Sequence, residues 1–352
     1  MARDRSAEID AALLAEVTAH PNDLTRVVAS AIGVSRQAVA SRVRHLLKHG
    51  LLAKSGTTRP TYQLGLSRRA HFVYPLEGLA EDRVWTQDVA PVLQGVPREI
   101  IDICHFGLTE MVNNAIDHSE GTEVAVQVLR DPRQVFLGIS DDGVGIFGKI
   151  ARALDLADQR LALLELSKGK LTTDPRRHSG EGVFFTSRMF DRYQIMSGEL
   201  LFDHDDNEPE DWLFHLDDTA GGTDVFMQIA VDSARNMAEI YAQYSSGPDD
   251  YTFARTVVPV RLAKVGDENL VSRSQAKRLM RRVDGFRVVV LDFAEVERIG
   301  QAFADEVFRV FANEHPDIEL QSIHATPGVQ QMVRRAEVAR DEDVNQMPLF
   351  GT

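Results

Sequence analysis

Apolar positions recur at helical spacing from Ile100 to His118, where Ile100, Ile103, Gly107, Met111 and Ala115 share one side and predict a long helix with a buried stripe. Downstream the period falls to two. Val124 to Arg130 and Gln134 to Ser140 alternate apolar with polar residues around Asp131-Pro132, which predicts a hairpin. The run Val183-Phe184-Phe185, carried on by Met189 and Phe190, returns to helical spacing, and Asp224 to Ala230 reads as a strand. Before this block lie three amphipathic stretches, Ile9 to Val17, Leu24 to Ala31 and a third running to His49, for which Ser35 is a natural N-cap. Leu51 to Lys54 and Thr61 to Leu64 then pair as a hairpin with its tip at Gly56 to Pro60. After a break at Ser245 to Asp250, strands and helices alternate: Val257 to Leu262, Ser272 to Val283, Val288 to Phe293, Gln301 to Asn313, Ile318 to Ile323 and Gly328 to Glu337. That alternation predicts a small α/β domain.

The patterns divide the chain into residues 1–75, a joining segment 76–98 without a clear period, residues 99–245, residues 251–340, and a short polar tail 341–352 expected to be disordered. The fold class is multidomain: a helical module with a wing, then a two-layer α/β sandwich on a mixed sheet, then a small α/β domain. No apolar run approaches membrane-spanning length, and Met-Ala-Arg-Asp-Arg at the start is not followed by a secretory apolar stretch, so a cytoplasmic protein away from membranes is expected. The one cysteine, Cys104, excludes an internal disulfide and any multi-cysteine metal site, and reads as a small buried hydrophobe.

Charge alters the picture further. The net charge is −14, yet Leu24 to Pro75 contains no Asp or Glu and nine Lys or Arg. Segregation of this kind points to a basic module that meets a polyanion, attached to acidic domains that do not. On the third amphipathic helix, Val39, Val43, Leu46 and Leu47 form the buried stripe and leave Arg36, Gln37, Ser41 and Arg44 outward. The segment is similar to the winged helix-turn-helix domains of bacterial regulators. That resemblance implies contact with double-stranded DNA through Ser35, Arg36, Gln37 and Ser41 at the third helix, Arg36 suiting guanine and Gln37 adenine. Arg44, Lys54 and Arg59 would hold phosphates. A winged helix used for protein contacts or dimerisation is the other reading, and Arg68-Arg69 can simply solvate the exit of the wing.

Chemistry concentrates in four short motifs between Glu110 and Thr223. Glu110 and Asn114 stand four apart on the long helix, so they share a face; a carboxylate can order or deprotonate water, and an amide oxygen can complete the octahedral shell of Mg2+. Asp141-Asp142-Gly143-Val144-Gly145 ends the hairpin with an acceptor suited to an exocyclic amine and glycines that let backbone approach a flat ring. Gly180-Glu181-Gly182 opens a helix whose free N–H groups suit phosphate, and Gly221-Gly222-Thr223 offers a hydroxyl before a strand. Gly143-Val144-Gly145-Ile146-Phe147-Gly148 also spells a dinucleotide fingerprint, but the adjacent carboxylates Asp141 and Asp142 would repel pyrophosphate there.

Residues from about 100 to 230 resemble a GHKL (Bergerat-fold) ATPase domain, the group that includes gyrase, histidine kinases and anti-sigma serine kinases. The resemblance implies ATP with Mg2+: Asn114 as the metal ligand, Asp141 on the adenine amine, and Gly143, Gly145, Gly180 and Gly182 lining the pocket. It makes Glu110 the general base, and we count Asp117, Lys168 and Thr223 as further nucleotide contacts. In the family the stretch between Gly145 and Gly180 is a lid. Lys168, Lys170, Arg176, Arg177 and His178 either serve that lid as cations facing the γ-phosphate or form a solvated loop. The run Val288 to Phe293 with Ile299 to Glu306 is similar to STAS-like domains, relatives of anti-sigma-factor antagonists. Gly300, Gln301 and Ala302 stand where those antagonists have a phosphorylatable serine. A protein partner through this domain, or its docking in cis or across a dimer, is the expectation that follows.

The expected function is that of an ATP-dependent DNA-binding regulator, working as a homodimer, in which ATP binding and slow hydrolysis control the winged helix. Two alternatives stand beside it. One is a protein serine kinase acting on a partner, and the other is an ATP sensor that does not hydrolyse.

Overall fold

A computed structural model describes residues 5–171, 180–208, 212–247, 250–264 and 269–346. The expected Arg176, Arg177 and His178 of the lid lie outside the described residues.

The chain opens with three helices, Ser6–Glu16, Leu24–Ile32 and Arg36–Lys48. The second ends and the third starts for a local reason. Gly33 takes a φ of 71° and its N–H returns to the Ala29 carbonyl, which ends the second helix, and the Ser35 hydroxyl accepts from the Ala38 N–H at 3.2 Å to start the third. Strands β1 (Leu52–Ser55) and β2 (Thr61–Leu64) follow as an antiparallel hairpin with Lys54 opposite Tyr62. This unit has a core of its own, in which Leu13, Leu24, Val28, Val39 and Leu46 are almost fully buried.

Strand β3 (Arg68–Pro75) corrects the reading of the first module. Its last eight residues do not belong to the hairpin; they pair antiparallel with β4 (Glu123–Arg130) at the edge of the central sheet. Arg68 accordingly points inward and donates to the Pro91 carbonyl at 3.0 Å instead of solvating a wing. The joining segment is structured as well: residues 81–92 are helical, with one π turn, and bury Val84, Trp85 and Val89.

The central sheet runs β3-β4-β5-β7-β6, where β5 is Gln134–Asp141, β6 is Arg192–Asp205 and β7 is Trp212–Ala230. Every neighbouring pair is antiparallel, where a mixed sheet was expected for this unit; the parallel strands lie in the separate carboxy-terminal sheet. β7 begins well before Asp224, and Gly222 sits inside it. One face of the sheet carries the helices Arg98–His118, Ile146–Ala153, Arg160–Lys168 and Gly182–Met189. The long helix buries Ile100, Ile103, Cys104, Leu108 and Val112 against Val126, Leu137 and Met227, and burial pushes the Cys104 thiol up.

The carboxy-terminal unit has three parallel strands in the order β10-β11-β12: Arg255–Pro259, Val288–Asp292 and Glu319–Ile323. The helix Arg273–Met280 starts at a capping box, in which the Ser272 hydroxyl accepts from the Gln275 N–H and the Gln275 side chain reaches back. The last helix, Pro327–Gln346, continues past Asp341, where a disordered tail was expected. The break at Ser245 to Asp250 is bridged by a short hairpin, β8 (Ser245–Gly247) with β9 (Asp250–Phe253).

Central and carboxy-terminal units share one continuous core. Phe253 is its hinge point, with ring centroids 4.5 Å from Phe184, 5.0 Å from Phe185 and 5.0 Å from Phe286. Truncating such a side chain leaves a cavity that rigid neighbours on both sides cannot fill. Phe253→Ala should cost about 3–5 kcal/mol and shift urea unfolding of both units together, while the amino-terminal unit unfolds as before; hydrogen exchange resolved by segment distinguishes this from loss confined to one unit.

Candidate functional site

The four motifs meet in one cavity of about 270 Å3 between the long helix and the sheet. Glu110, Met111, Asn114 and Ala115 form one wall because 3.6 residues per turn place them on adjoining ridges of the helix. Asp141 and Thr223 stand opposite each other across the β5–β7 ladder and form the back. Ile139, Tyr193, Ile195 and Val225 make an apolar floor, with Ile146 and Ile150 from the following helix. Gly145, Gly180 and Gly182 complete the rim.

Asp141 and Asp142 are adjacent in sequence but have opposite duties. The Asp141 Oδ1 accepts from the Gly143 N–H at 2.9 Å and its carboxylate remains on the cavity. Burial pushes the Asp141 carboxyl above the ordinary carboxylate range, and the N–H groups of Gly143 and Thr223 pull it partly back. Asp142 turns away and accepts from the Glu123 N–H at 3.0 Å, the Thr122 hydroxyl at 2.5 Å and the Thr122 N–H at 2.7 Å. Those donors, the Glu123 N–H foremost, hold its carboxyl down at about 2.

Thr223 has a structural task inside the site. Its Oγ1 accepts from the Ile146 N–H at 3.0 Å, so the start of the helix Ile146–Ala153 is already capped from β7. A pyrophosphate on this turn would have to displace that bond. Together with the antiparallel strands on both sides of β5, this removes the dinucleotide reading of Gly143 to Gly148.

Two glycines sit in close contact with other motifs. A Cβ on Gly182 would overlap the Glu110 Oε2, so a larger residue there would push the Glu110 side chain aside. Gly222 has a φ of 76° within β7, and a Cβ there would overlap the Asp141 carbonyl.

Four expected contacts are corrected. Lys168 does not reach the cavity: it is 0% exposed, pairs with Glu165 at 2.8 Å and donates to carbonyls of the carboxy-terminal unit. Lys170 also faces that unit, donating to the Gly285 carbonyl at 2.8 Å beneath the Phe286 ring. Asp117 lies on the exposed side of the long helix, one turn past the wall, and Gly143 packs its backbone against Ser119 instead of lining the cavity. Among the described residues, the Lys or Arg on the cavity wall is Lys149, which the motif reading missed. It donates to the His118 carbonyl at 2.7 Å and pairs with Glu120 at 2.8 Å. Its place four residues after Gly145, on the cavity side of an amphipathic turn, is the signal that was available.

Near Glu110 lie Tyr241 and Glu181. Burial, then the charges of Glu110 and Glu181, push the Tyr241 hydroxyl up to about 12, so it stays a donor at neutral pH. Burial also raises the Glu181 carboxyl, with Lys170 opposing. No group of three or more His, Cys, Asp or Glu suited to a metal occurs among the described residues.

On the amino-terminal unit, Ser35, Arg36, Gln37, Ser41, Arg44, Lys54 and Arg59 are all exposed. Arg42 is diverted to Asp10, at 2.8 Å from Nε to Oδ1, and Arg26 to Asp23.

Family comparisons agree with the central and carboxy-terminal units. Residues 76–200 match the family model described as a histidine kinase-like ATPase domain, and residues 275–330 match a STAS-like domain of unknown function (DUF4325). No match is found among curated proteins. No described helix is long and apolar enough to cross a membrane.

The Asp142 turn yields a pH test. Its folded pKa is depressed, so its stabilisation is present above the unfolded value near 4 and is lost as pH falls through about 2. Asp142→Asn should lower the urea midpoint at neutral pH, and the gap from the parent chain should narrow as pH falls below about 4. A gap constant from pH 7 to 3 would show that the carboxylate charge is not what holds the turn.

Proposed function

We propose that the protein is an ATP-dependent DNA-binding regulator in which a GHKL-type domain controls a winged helix. The observation that carries this reading is the convergence of Glu110, Asn114, Asp141, Gly145, Gly180, Gly182 and Thr223 on one cavity with an apolar floor. The match of residues 76–200 to a histidine kinase-like ATPase domain supports it.

In this reading adenine lies on Ile139, Ile195 and Val225, with its exocyclic amine donating to Asp141. The desolvated carboxylate makes that hydrogen bond stronger than it would be in water. The phosphates run toward the N-terminus of the helix Gly182–Met189. Asn114 offers one amide oxygen, and no carboxylate cluster surrounds it among the described residues, which fits an ion held mainly by phosphates and water. When bound, Mg2+ would neutralise phosphate charge. Glu110 orients a water and accepts its proton as the water oxygen bonds to the γ-phosphorus; the bond to the bridging oxygen breaks and ADP leaves.

The exposed Arg36, Gln37 and Ser41 on the third helix, with Arg44, Lys54 and Arg59, support docking of that helix in a major groove of double-stranded DNA. Two such units in a homodimer would read two half-sites. Nucleotide regulates DNA binding only if it has different affinities for two arrangements of the chain. The serine-kinase alternative draws support from the same Glu110, which would then take the proton of a partner's hydroxyl, and from a STAS-like unit beside the pocket.

Glu110→Gln should abolish phosphate release, by at least about a hundredfold, while leaving the affinity for a fluorescent ATP analogue within about twofold. Asn114→Ala should weaken the analogue only when Mg2+ is present. If Glu110→Gln loses binding as well as turnover, the base assignment fails. DNA affinity measured on random genomic fragments should change between the nucleotide-free chain and the chain with a non-hydrolysable analogue, and the salt dependence should diminish in Arg44→Ala. Unchanged DNA affinity together with phosphoryl transfer from labelled ATP to a second protein would favour the kinase.

A further inference from the structure

Residues 165–171 have two sides with different surroundings. Leu166 and Leu171 line the cavity. Beside them Glu165 and Lys168 turn the other way and are 1% and 0% exposed. The Lys168 ammonium, 2.8 Å from Glu165 Oε1, donates to the carbonyls of Arg281 at 2.8 Å and Arg278 at 3.3 Å, at the end of the helix Arg273–Met280. The Arg282 guanidinium returns the contact: it lies 3.2 Å from Glu165 Oε2 and donates to the Lys170 carbonyl at 2.7 Å. The Thr256 hydroxyl of β10 donates to the Lys168 carbonyl at 2.8 Å. Arg282 holds a φ of 61°, a conformation that costs a residue other than glycine, and this aims its side chain back at the central unit.

A buried ion pair gives little net stability over an apolar pair of the same shape, but breaking half of it is expensive, so it fixes one register of the surfaces it joins. Here those surfaces are the wall of the cavity and the carboxy-terminal unit. The carbonyls of Arg278 and Arg281 take up the remaining Lys168 protons, and Arg282 takes the second Glu165 oxygen. The charges are therefore satisfied only while the two units are docked.

We propose that the carboxy-terminal unit is a positioning element for the nucleotide site: Lys168 and Arg282 hold the Leu166–Leu171 wall in place, so that docking of this unit and nucleotide binding strengthen each other. The proposal rests on the reading of the cavity as an ATP site. Reciprocity requires that whatever loosens docking weakens nucleotide by the same factor, and that nucleotide tightens docking. A ligand or partner that pulled the carboxy-terminal unit away would thereby empty the pocket without touching it.

The test uses the full chain with Arg282→Ala and Arg282→Lys, since Arg282 is partly exposed and its loss spares the core. Lys168→Met is a harsher second variant. Hydrogen exchange of residues 166–171 is measured without nucleotide, and a fluorescent ATP analogue with Mg2+ is titrated separately. Exchange within the Val126, Leu137 and Met227 core of the central sheet serves as the control for folding. In Arg282→Ala we expect exchange at 166–171 to rise about tenfold and analogue affinity to fall about tenfold, with partial recovery in Arg282→Lys, which keeps the charge but not the fork to the Lys170 carbonyl. Unchanged exchange overturns the proposal whether or not the analogue binds. Raised exchange with unchanged affinity overturns the coupling. If the parent chain binds no analogue at all, the ATP reading fails, while raised exchange still supports the clamp on this wall.

Discussion

The register of β5 against β7 is the constraint on which the site depends. Pairing Asp141 with Thr223 puts a carboxylate and a hydroxyl side by side at the sheet end, over the apolar floor supplied by Ile139 and Val225. Because side chains alternate with period two, a slip of one residue would turn Asp141 to the opposite face and carry the floor with it. Thr223 then caps Ile146, which starts the next helix, and that helix brings Lys149 to the His118 carbonyl. Asp142, holding Thr122 and Glu123, locks the turn from behind. A pocket wall, a floor and a cation are therefore set by one ladder.

The distribution of cores bears on how the parts communicate. The amino-terminal unit has a separate core, but its link to the sheet is short: β2 ends at Leu64 and β3 begins at Arg68. The link is also hydrogen-bonded, Gly65 N–H to Leu51 and Ser67 N–H to Gly50, at 2.9 and 2.8 Å. In the proposed regulator, the basic surface is thus carried on an edge strand of the nucleotide-binding sheet. The carboxy-terminal unit, by contrast, is fused to the central one through the Phe253 cluster and the Lys168 network. Both outer units are joined to the central one, the amino-terminal unit through the edge strand β3 and the carboxy-terminal unit through a wall of the cavity.

Much of this was legible in the chain because the signals are local. Ser35, Gly33 and the stripe of Val39, Val43 and Leu46 specify the third helix without outside help. The hairpin of β4 and β5 follows from alternation and Asp131, whose carboxylate accepts from the Arg133 and Gln134 N–H groups. Glu110 and Asn114 were identifiable as a pair because four residues make about one turn. Lys168 was not. A lysine near a lid has the same local sequence whether it meets phosphate or carbonyls, and the decision came from residues more than a hundred positions away, at Arg278 and Arg281. Arg68 is similar: its basic neighbours placed it with the wing, and only the partner strand β4 shows that it is a sheet residue.

The amino-acid sequence by itself determined the three amino-terminal helices, the long helix of Glu110, the hairpins β1–β2 and β4–β5, the alternation of the carboxy-terminal unit and the set of side chains with chemistry to offer. Helix caps, turn residues and periodicity act over a few positions, so one chain carries them in full. Tertiary structure alone decided which of those side chains share a cavity, that Asp141 faces it while Asp142 does not, and that Lys149 replaces Lys168 on its wall. It also decided that the central and carboxy-terminal units form one core. The reason is physical: strand pairing and burial join residues far apart in sequence, and the orientation of a charge is set by the partner that compensates its desolvation, which no local pattern encodes.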